Sequence, residues 1–127
     1  DPGDLVRADV FEDLRRRVAA KETWDAVICD PPAFAKKRGE VDRAARGYKD
    51  VNRLAMRLLS PGGILLTCSC SGAVDATLFQ QIVFAAGLES GGAFSFFARQ
   101  GAGPDHPVSL DCPEGEYLKG MWLVRGA

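Results

Sequence analysis

Histidine is nearly absent from the chain: His106 is the only one in 127 residues. The four cysteines, Cys29, Cys68, Cys70 and Cys112, form no Cys-x-x-Cys pair and do not gather around that histidine. A zinc module needs clustered thiolate and imidazole ligands, and a disulfide scaffold needs a denser cysteine framework, so no metal or disulfide framework is expected. No apolar run approaches the roughly 20 residues of a membrane-spanning helix. The opening Asp1-Pro2-Gly3-Asp4 has neither the basic nor the apolar region of a signal peptide, which leads us to expect a cytoplasmic protein without a membrane partner. Nor is there an excess of positive charge. Sixteen Lys and Arg stand against 17 Asp and Glu, a net charge of -1, so any contact with nucleic acid must be local. No Gly-x-Gly-x-Gly turn joins a strand to a helix.

What is present describes one packed domain. The chain is 46% hydrophobic and 26% charged, the balance of a globular protein. Leu5 to Ala8 is a brief apolar run. Asp9, with Glu12 three residues on, has the form of a capping box ahead of Val10, Phe11, Leu14 and Val18 at helical spacing. Trp24 to Cys29 is almost continuously apolar and stops at Asp30-Pro31-Pro32, which predicts a strand buried on both faces. Ala33 to Asp50 is the one basic stretch, read as beginning in a loop. Helical spacing resumes at Val51, Leu54, Ala55, Leu58 and Leu59, with Ser60-Pro61-Gly62-Gly63 as the stop. Ile64 to Cys70 is a second strand. Val74, Leu78, Phe79, Ile82 and Val83 mark a third helix closing at Gly87, and Phe94–Ala98 and Tyr117–Val124 are further strands, with Met121 and Trp122 read as core. Two strands separated by a helical crossover make a parallel βαβ unit, so the fold class is α/β.

In open α/β sheets ligands bind at the carboxyl ends of the strands. Asp30-Pro31-Pro32-Ala33-Phe34 leaves one such end, with two prolines stiffening the turn that aims the carboxylate. Thr67-Cys68-Ser69-Cys70-Ser71-Gly72 leaves the other. Neighbouring strands lie about 4.8 Å apart, so Asp30 and a cysteine converge on one small site. A thiol near a carboxylate suits covalent catalysis, because sulfur adds to an electrophilic ring carbon while the acid handles a proton at the ring nitrogen. Cys68 and Cys70 at i and i+2 crowd one face of a regular strand, so at least one leaves the strand, and Cys70 is nearer the ligand side. Cys29 and Cys112 are read as structural.

DPPAF after a buried strand, then ARGYKDVNRLAMRLLSPGGILLTCSCSG, DHP and PEGEYLKG, together resemble the large-subunit ribosomal-RNA cytosine 5-methyltransferases of the RlmI type. That resemblance runs through nearly the whole chain. It implies a partial Rossmann-like class I methyltransferase sheet, S-adenosylmethionine (SAM) as cofactor and ribosomal RNA as partner. By the same resemblance Cys70 is the nucleophile that adds to carbon 6 of cytosine, and Asp30 holds the base at ring nitrogen 3 and the exocyclic amine. Cys68 has no implied role. Asp9 and Phe11 fall where the family holds the cofactor's adenine, alongside Asp30 and Pro31, and the helix-cap reading of Asp9 is compatible with this. Pro32, Phe34, Lys36, Lys37 and Arg46 are the expected substrate contacts. For Phe34 two readings stand, a ring stacked on a flipped base and an anchor of the loop to the core. The basic side chains, Lys36, Lys37, Arg38, Arg43 and Arg46, are either phosphate contacts or a solvated loop. His106 is either a proton shuttle or structural.

The departure lies at the front. The glycine-rich turn after the first strand and the acidic residue ending the second are missing, so the chain is expected to be the carboxyl-terminal half of a catalytic domain, beginning at the third strand and lacking the first βαβ unit. Copies are then expected to associate through an exposed sheet edge. Two other functions stay open: a guanine N7 methyltransferase sharing the DPP turn, which needs no nucleophilic cysteine, and a non-catalytic assembly module that binds no cofactor.

Overall fold

The computed structural model describes residues 5–34, 38–100 and 119–126. Among the described residues three α-helices and four strands follow in the order α1 (Val10–Ala19), β1 (Trp24–Cys29), α2 (Val41–Arg57), β2 (Leu59–Ser69), α3 (Ala76–Ser90), β3 (Phe94–Gln100) and β4 (Lys119–Arg125). The sheet order is β1-β2-β4-β3. β1 and β2 run parallel, as the helical crossover α2 requires, and β4 is antiparallel to both of its neighbours. Leu5 to Ala8 forms no strand; it is exposed and unpaired in the sheet.

Local chemistry explains the helix ends. Asp9 caps α1 by accepting from the Glu12 amide at 3.0 Å, the interaction its capping-box spacing predicts. Asp75 caps α3 in the same way, accepting from the Leu78 amide at 2.7 Å. α3 does not close at Gly87 but continues one turn to Ser90, where Gly91 at φ 83° supplies the left-handed residue that ends it. α2 begins ten residues before the apolar spacing predicts. Ala44, Tyr48, Val51 and Ala55 form its buried stripe, and the charged residues of its first half face outward, so what reads as a basic loop is mostly helix.

Ser60-Pro61-Gly62-Gly63 is not a loop after a helix. α2 ends at Arg57, and the tetrapeptide is an irregular part of β2 that opens the register between the Trp24↔Leu59 and Ala26↔Ile64 pairs. Gly62 at φ 82° takes a conformation that an L side chain would strain. Ser60 Oγ donates to the Asp25 carboxylate at 2.8 Å and holds the bulge to β1.

The helices pack side by side, α2 between α1 and α3, and cover one face of the sheet. On β2 the alternation is plain: Leu65, Thr67 and Ser69 are buried, whereas Ile64, Leu66 and Cys68 are more open. Met121 and Leu123 of β4 join Leu65, Tyr48, Phe79 and Val83 in the core, and Trp122 is half-buried. The expectation that β1 is buried on both faces is incorrect. Ile28 is 73% exposed and Cys29 is the only buried residue of the strand, because β1 is an edge strand with helices over one face. Among the described residues no helix is long and apolar enough to cross a membrane.

Candidate active site

β1 and β2 end side by side, with Cys29 the register partner of Thr67. Asp30 therefore leaves β1 level with Cys68, and Cys70 follows the last residue of β2. Cys70 is exposed and Cys68 half-buried, so the crowding expected of two thiols at i and i+2 is relieved by Cys70 leaving the strand. Burial pushes the Cys68 thiol above its ordinary value, and the negative charges of Asp30 and Cys70 add to the rise. Cys29 is buried, and its thiol is pushed up to about 11, chiefly by burial, with a hydrogen bond to Thr67 opposing the rise. Its expected structural role agrees with this placement. Cys112 and His106 lie outside the described residues.

Beside the strand ends is a cavity of about 450 Å³. Asp9, Phe11, Asp30, Pro31, Pro32 and Phe34 line it, over an apolar floor that includes Leu14, Val51 and Ala55. Four residues separated by about twenty positions in sequence, Asp9, Phe11, Asp30 and Pro31, are thus brought to one wall because the start of α1 and the end of β1 lie at the same end of the sheet. Phe34 packs against the Phe11 ring at 6.2 Å and edge-on to Tyr48 at 4.7 Å, which anchors the loop in which it sits.

Arg46 does not join this group. It lies on α2 over a separate shallow groove shared with Lys49, Gln81 and Ala85. Lys49 is committed to Glu89 at 2.8 Å, which holds that carboxylate below its usual range. Lys36 and Lys37 lie outside the described residues.

The cation at the cysteine turn comes from elsewhere in the chain. Lys119, the first residue of β4, is the register partner of Ser69, and its Nζ donates to the Ser71 carbonyl at 2.8 Å. Burial lowers its pKa, while Cys70 and Asp75 favour its charged form. Ser71 is itself buried: its amide donates to Ser69 Oγ at 3.3 Å, and its hydroxyl shares a short hydrogen bond with the Tyr48 hydroxyl. Tyr48 and Lys119 lie within RGYKD and PEGEYLKG, two of the stretches that carry the family resemblance, but spacing alone assigns neither a place at the site. Among the described residues no group of His, Cys, Asp and Glu is arranged to hold a metal ion.

A four-stranded α/β sheet with a ligand-sized cavity and polar residues at its carboxyl ends is part of the fold of SAM-dependent methyltransferases. The match to a Streptococcus mutans protein assigned to that class has a TM-score of 0.73 at 20% identity, covering 94% of this chain and 30% of that one. The M1.HpyAVI–SAM complex matches at a TM-score of 0.59 and 17% identity, over 95% of this chain and 52% of that one. By sequence the chain is a homologue of proteins named ribosomal RNA large subunit methyltransferase I. It is 48% identical over 114 residues to that of Shewanella frigidimarina and 50% identical over 118 residues to that of Photobacterium profundum. These matches cover 90% and 93% of this chain but only 29% and 30% of the relatives' own length. No family model matches the chain.

Proposed function

We propose that this chain is the carboxyl-terminal part of a SAM-dependent methyltransferase acting on carbon 5 of a cytosine in large-subunit ribosomal RNA. The observation that carries the reading is the meeting of the Asp30 turn and the exposed Cys70 at the ends of paired parallel strands, next to a cavity walled by Asp9, Phe11 and Pro31. The homology to named ribosomal RNA methyltransferases supports the substrate class.

The cavity suits one end of the cofactor. Phe11, Leu14 and Pro31 offer apolar surface to a flat heterocycle, and Asp9 sets a carboxylate at its edge. Asp9 and Phe11 would hold the adenine, and Asp30 and Pro31 would close the wall toward the reacting base. SAM supplies an electrophilic methyl group when bound. Carbon 5 of cytosine is a poor nucleophile until the ring loses its aromatic conjugation, and the Cys70 thiolate removes it by adding to carbon 6; once carbon 5 carries the methyl group, loss of the carbon 5 proton to a base expels the thiolate and restores the ring double bond. Asp30 holds the base at nitrogen 3 and the exocyclic amine and provides for the proton that nitrogen 3 takes up as sulfur adds. The Lys119 ammonium is held at the Cys70 turn by the Ser71 carbonyl, which sets a positive charge beside the reacting groups. Pro32 and Phe34 border the space for a base taken out of its stack, and Lys36, Lys37 and Arg46 contribute positive charge for the RNA backbone. Copies of the isolated chain associate through the free edge of β1.

The test is methyl transfer to deproteinised ribosomal RNA by the natural full-length protein. Cys70→Ala should abolish transfer while leaving SAM binding nearly intact, and Cys68→Ala should do little. A 5-fluorocytosine substrate should trap a covalent adduct on Cys70. An adduct that survives Cys70→Ala and disappears with Cys68→Ala would move the nucleophile two residues, and methyl transfer to guanine N7 without any adduct would replace the reaction altogether.

A further inference from the structure

The RGYKDVN stretch supplies no reacting group to the mechanism above, yet two of its residues are among the most deeply placed polar side chains in the molecule. Tyr48 and Asn52 stand one turn apart on the inner stripe of α2, both 0% exposed. Asn52 Nδ2 donates to the Tyr48 carbonyl at 2.8 Å, and its Oδ1 accepts from Thr67 Oγ1 at 2.5 Å, so α2 is pinned to β2 at that level. The Tyr48 hydroxyl then reaches further in two directions. It accepts from the backbone amide of Phe34 at 3.3 Å and shares a hydrogen bond with Ser71 Oγ. Phe34 belongs to the turn that opens with Asp30, and Ser71 is the residue after Cys70. One oxygen atom therefore joins the two loops that carry the proposed reacting groups.

Packing does not require that oxygen. The Tyr48 ring meets Phe34 at 4.7 Å and Phe79 at 5.9 Å, both edge-on, contacts that a phenylalanine would make equally well. A hydroxyl at this depth is costly unless it is paired, and among the described residues no buried side-chain polar atom is left without a partner. The network also has a definite direction. Ser71 is held from the helix side by Tyr48 and from the sheet side by Lys119, which leaves Cys70 on a turn restrained at its next residue from both sides.

We propose that Tyr48 is a positioning residue whose hydroxyl sets the Asp30–Phe34 turn and the Cys70 turn relative to each other. The proposal rests on the reading of Asp30 and Cys70 given above. Its effect falls chiefly on the geometry of addition, because the hydroxyl bonds directly to Phe34 and Ser71, beside the reacting groups, and to neither Asp9 nor Phe11, which would hold the adenine.

The natural full-length protein tests it through Tyr48→Phe, which keeps the ring, and Ser71→Ala. Each should lower kcat about tenfold, the scale of one buried hydrogen bond, with KM for SAM changed less than twofold. The double variant should lose no more than the larger single loss, because both changes break the same link. Hydrogen exchange should quicken together at the amides of Phe34 and Ser71 in Tyr48→Phe. Wild-type kcat, additive losses, or unchanged exchange at either amide would each overturn the proposal. Cys70→Ala serves as the separate control: methyl transfer retained there overturns the reading of Cys70 as nucleophile, and the paired exchange at 34 and 71 still decides whether Tyr48 couples the two turns.

Discussion

Alkylation of the cysteines reads the electrostatics of the site directly, before any methyl transfer is measured. Among the described residues three cysteines are free and differ in depth: Cys29 is buried, Cys68 half-buried and Cys70 exposed. Burial raises the Cys29 thiol from 9.0 to about 11. At pH 8 a thiol of that pKa is ionised in about one molecule per thousand, against about one in ten at the ordinary value, so ionisation alone slows Cys29 by roughly a hundredfold. Cys68 moves in the same direction through burial and the adjacent Asp30 carboxylate. We expect iodoacetamide at pH 8 to label Cys70 first, Cys68 next and Cys29 last, as followed by peptide mass analysis over time. The same shift bears on stability. The folded state favours the neutral Cys29 thiol, so its contribution is complete below pH 9 and is lost as pH rises toward about 11, an effect of up to about 3 kcal/mol. Urea unfolding at pH 8 and pH 11 in reducing buffer should show part of that loss, and Cys29→Ala should reduce the difference. Labelling of Cys29 within tenfold of Cys70 in folded protein, or of Cys68 ahead of Cys70, would refute the placement of these thiols.

Three further outcomes follow from the same geometry. Asp30→Asn should cost more than a hundredfold in methyl transfer by the full-length protein with unchanged folding, since a neutral amide cannot balance the positive charge that nitrogen 3 gains when it is protonated; a loss under tenfold would remove Asp30 from the chemistry. Asp9→Ala deletes a helix cap and should lower stability by about 1 kcal/mol in urea unfolding. It should also weaken SAM binding in calorimetric titration, and intact binding would leave Asp9 a cap alone. The 127-residue chain should self-associate through β1 in light scattering, and Ile28→Lys, at a 73% exposed position on that strand, should return it toward monomer; an equal mass for both would place the contact elsewhere.

Much of the fold was legible in the sequence because local chemistry controls it. The bounds of β1 fall where the apolar run meets Asp30-Pro31-Pro32, and α1 starts where the Asp9 capping box places it. The parallel pairing of β1 with β2 follows from a helical connection between two apolar strands. Boundaries set by packing were not legible in the same way. The first half of α2 buries Ala44 and Tyr48, too small and too polar a pair to produce a clear apolar period, and Ser60-Pro61-Gly62-Gly63 reads as a stop until β1 is present to pair beyond it.

The candidate site divides along the same line. Sequence by itself determined that a carboxylate and a thiol would stand at strand ends, because Asp30 and Cys70 each terminate a strand through the residues beside them. Tertiary structure alone decided what surrounds them. Lys119 comes to the Cys70 turn from nearly fifty residues away because β4 inserts antiparallel beside β2 with Lys119 opposite Ser69. Tyr48 reaches both turns because α2 lies across the ends of β1 and β2, and Arg46, two residues earlier, faces a different groove for the same helical reason. Residues along one strand or helix are ordered by a local period, whereas contacts between elements depend on register and crossing, which no local period encodes.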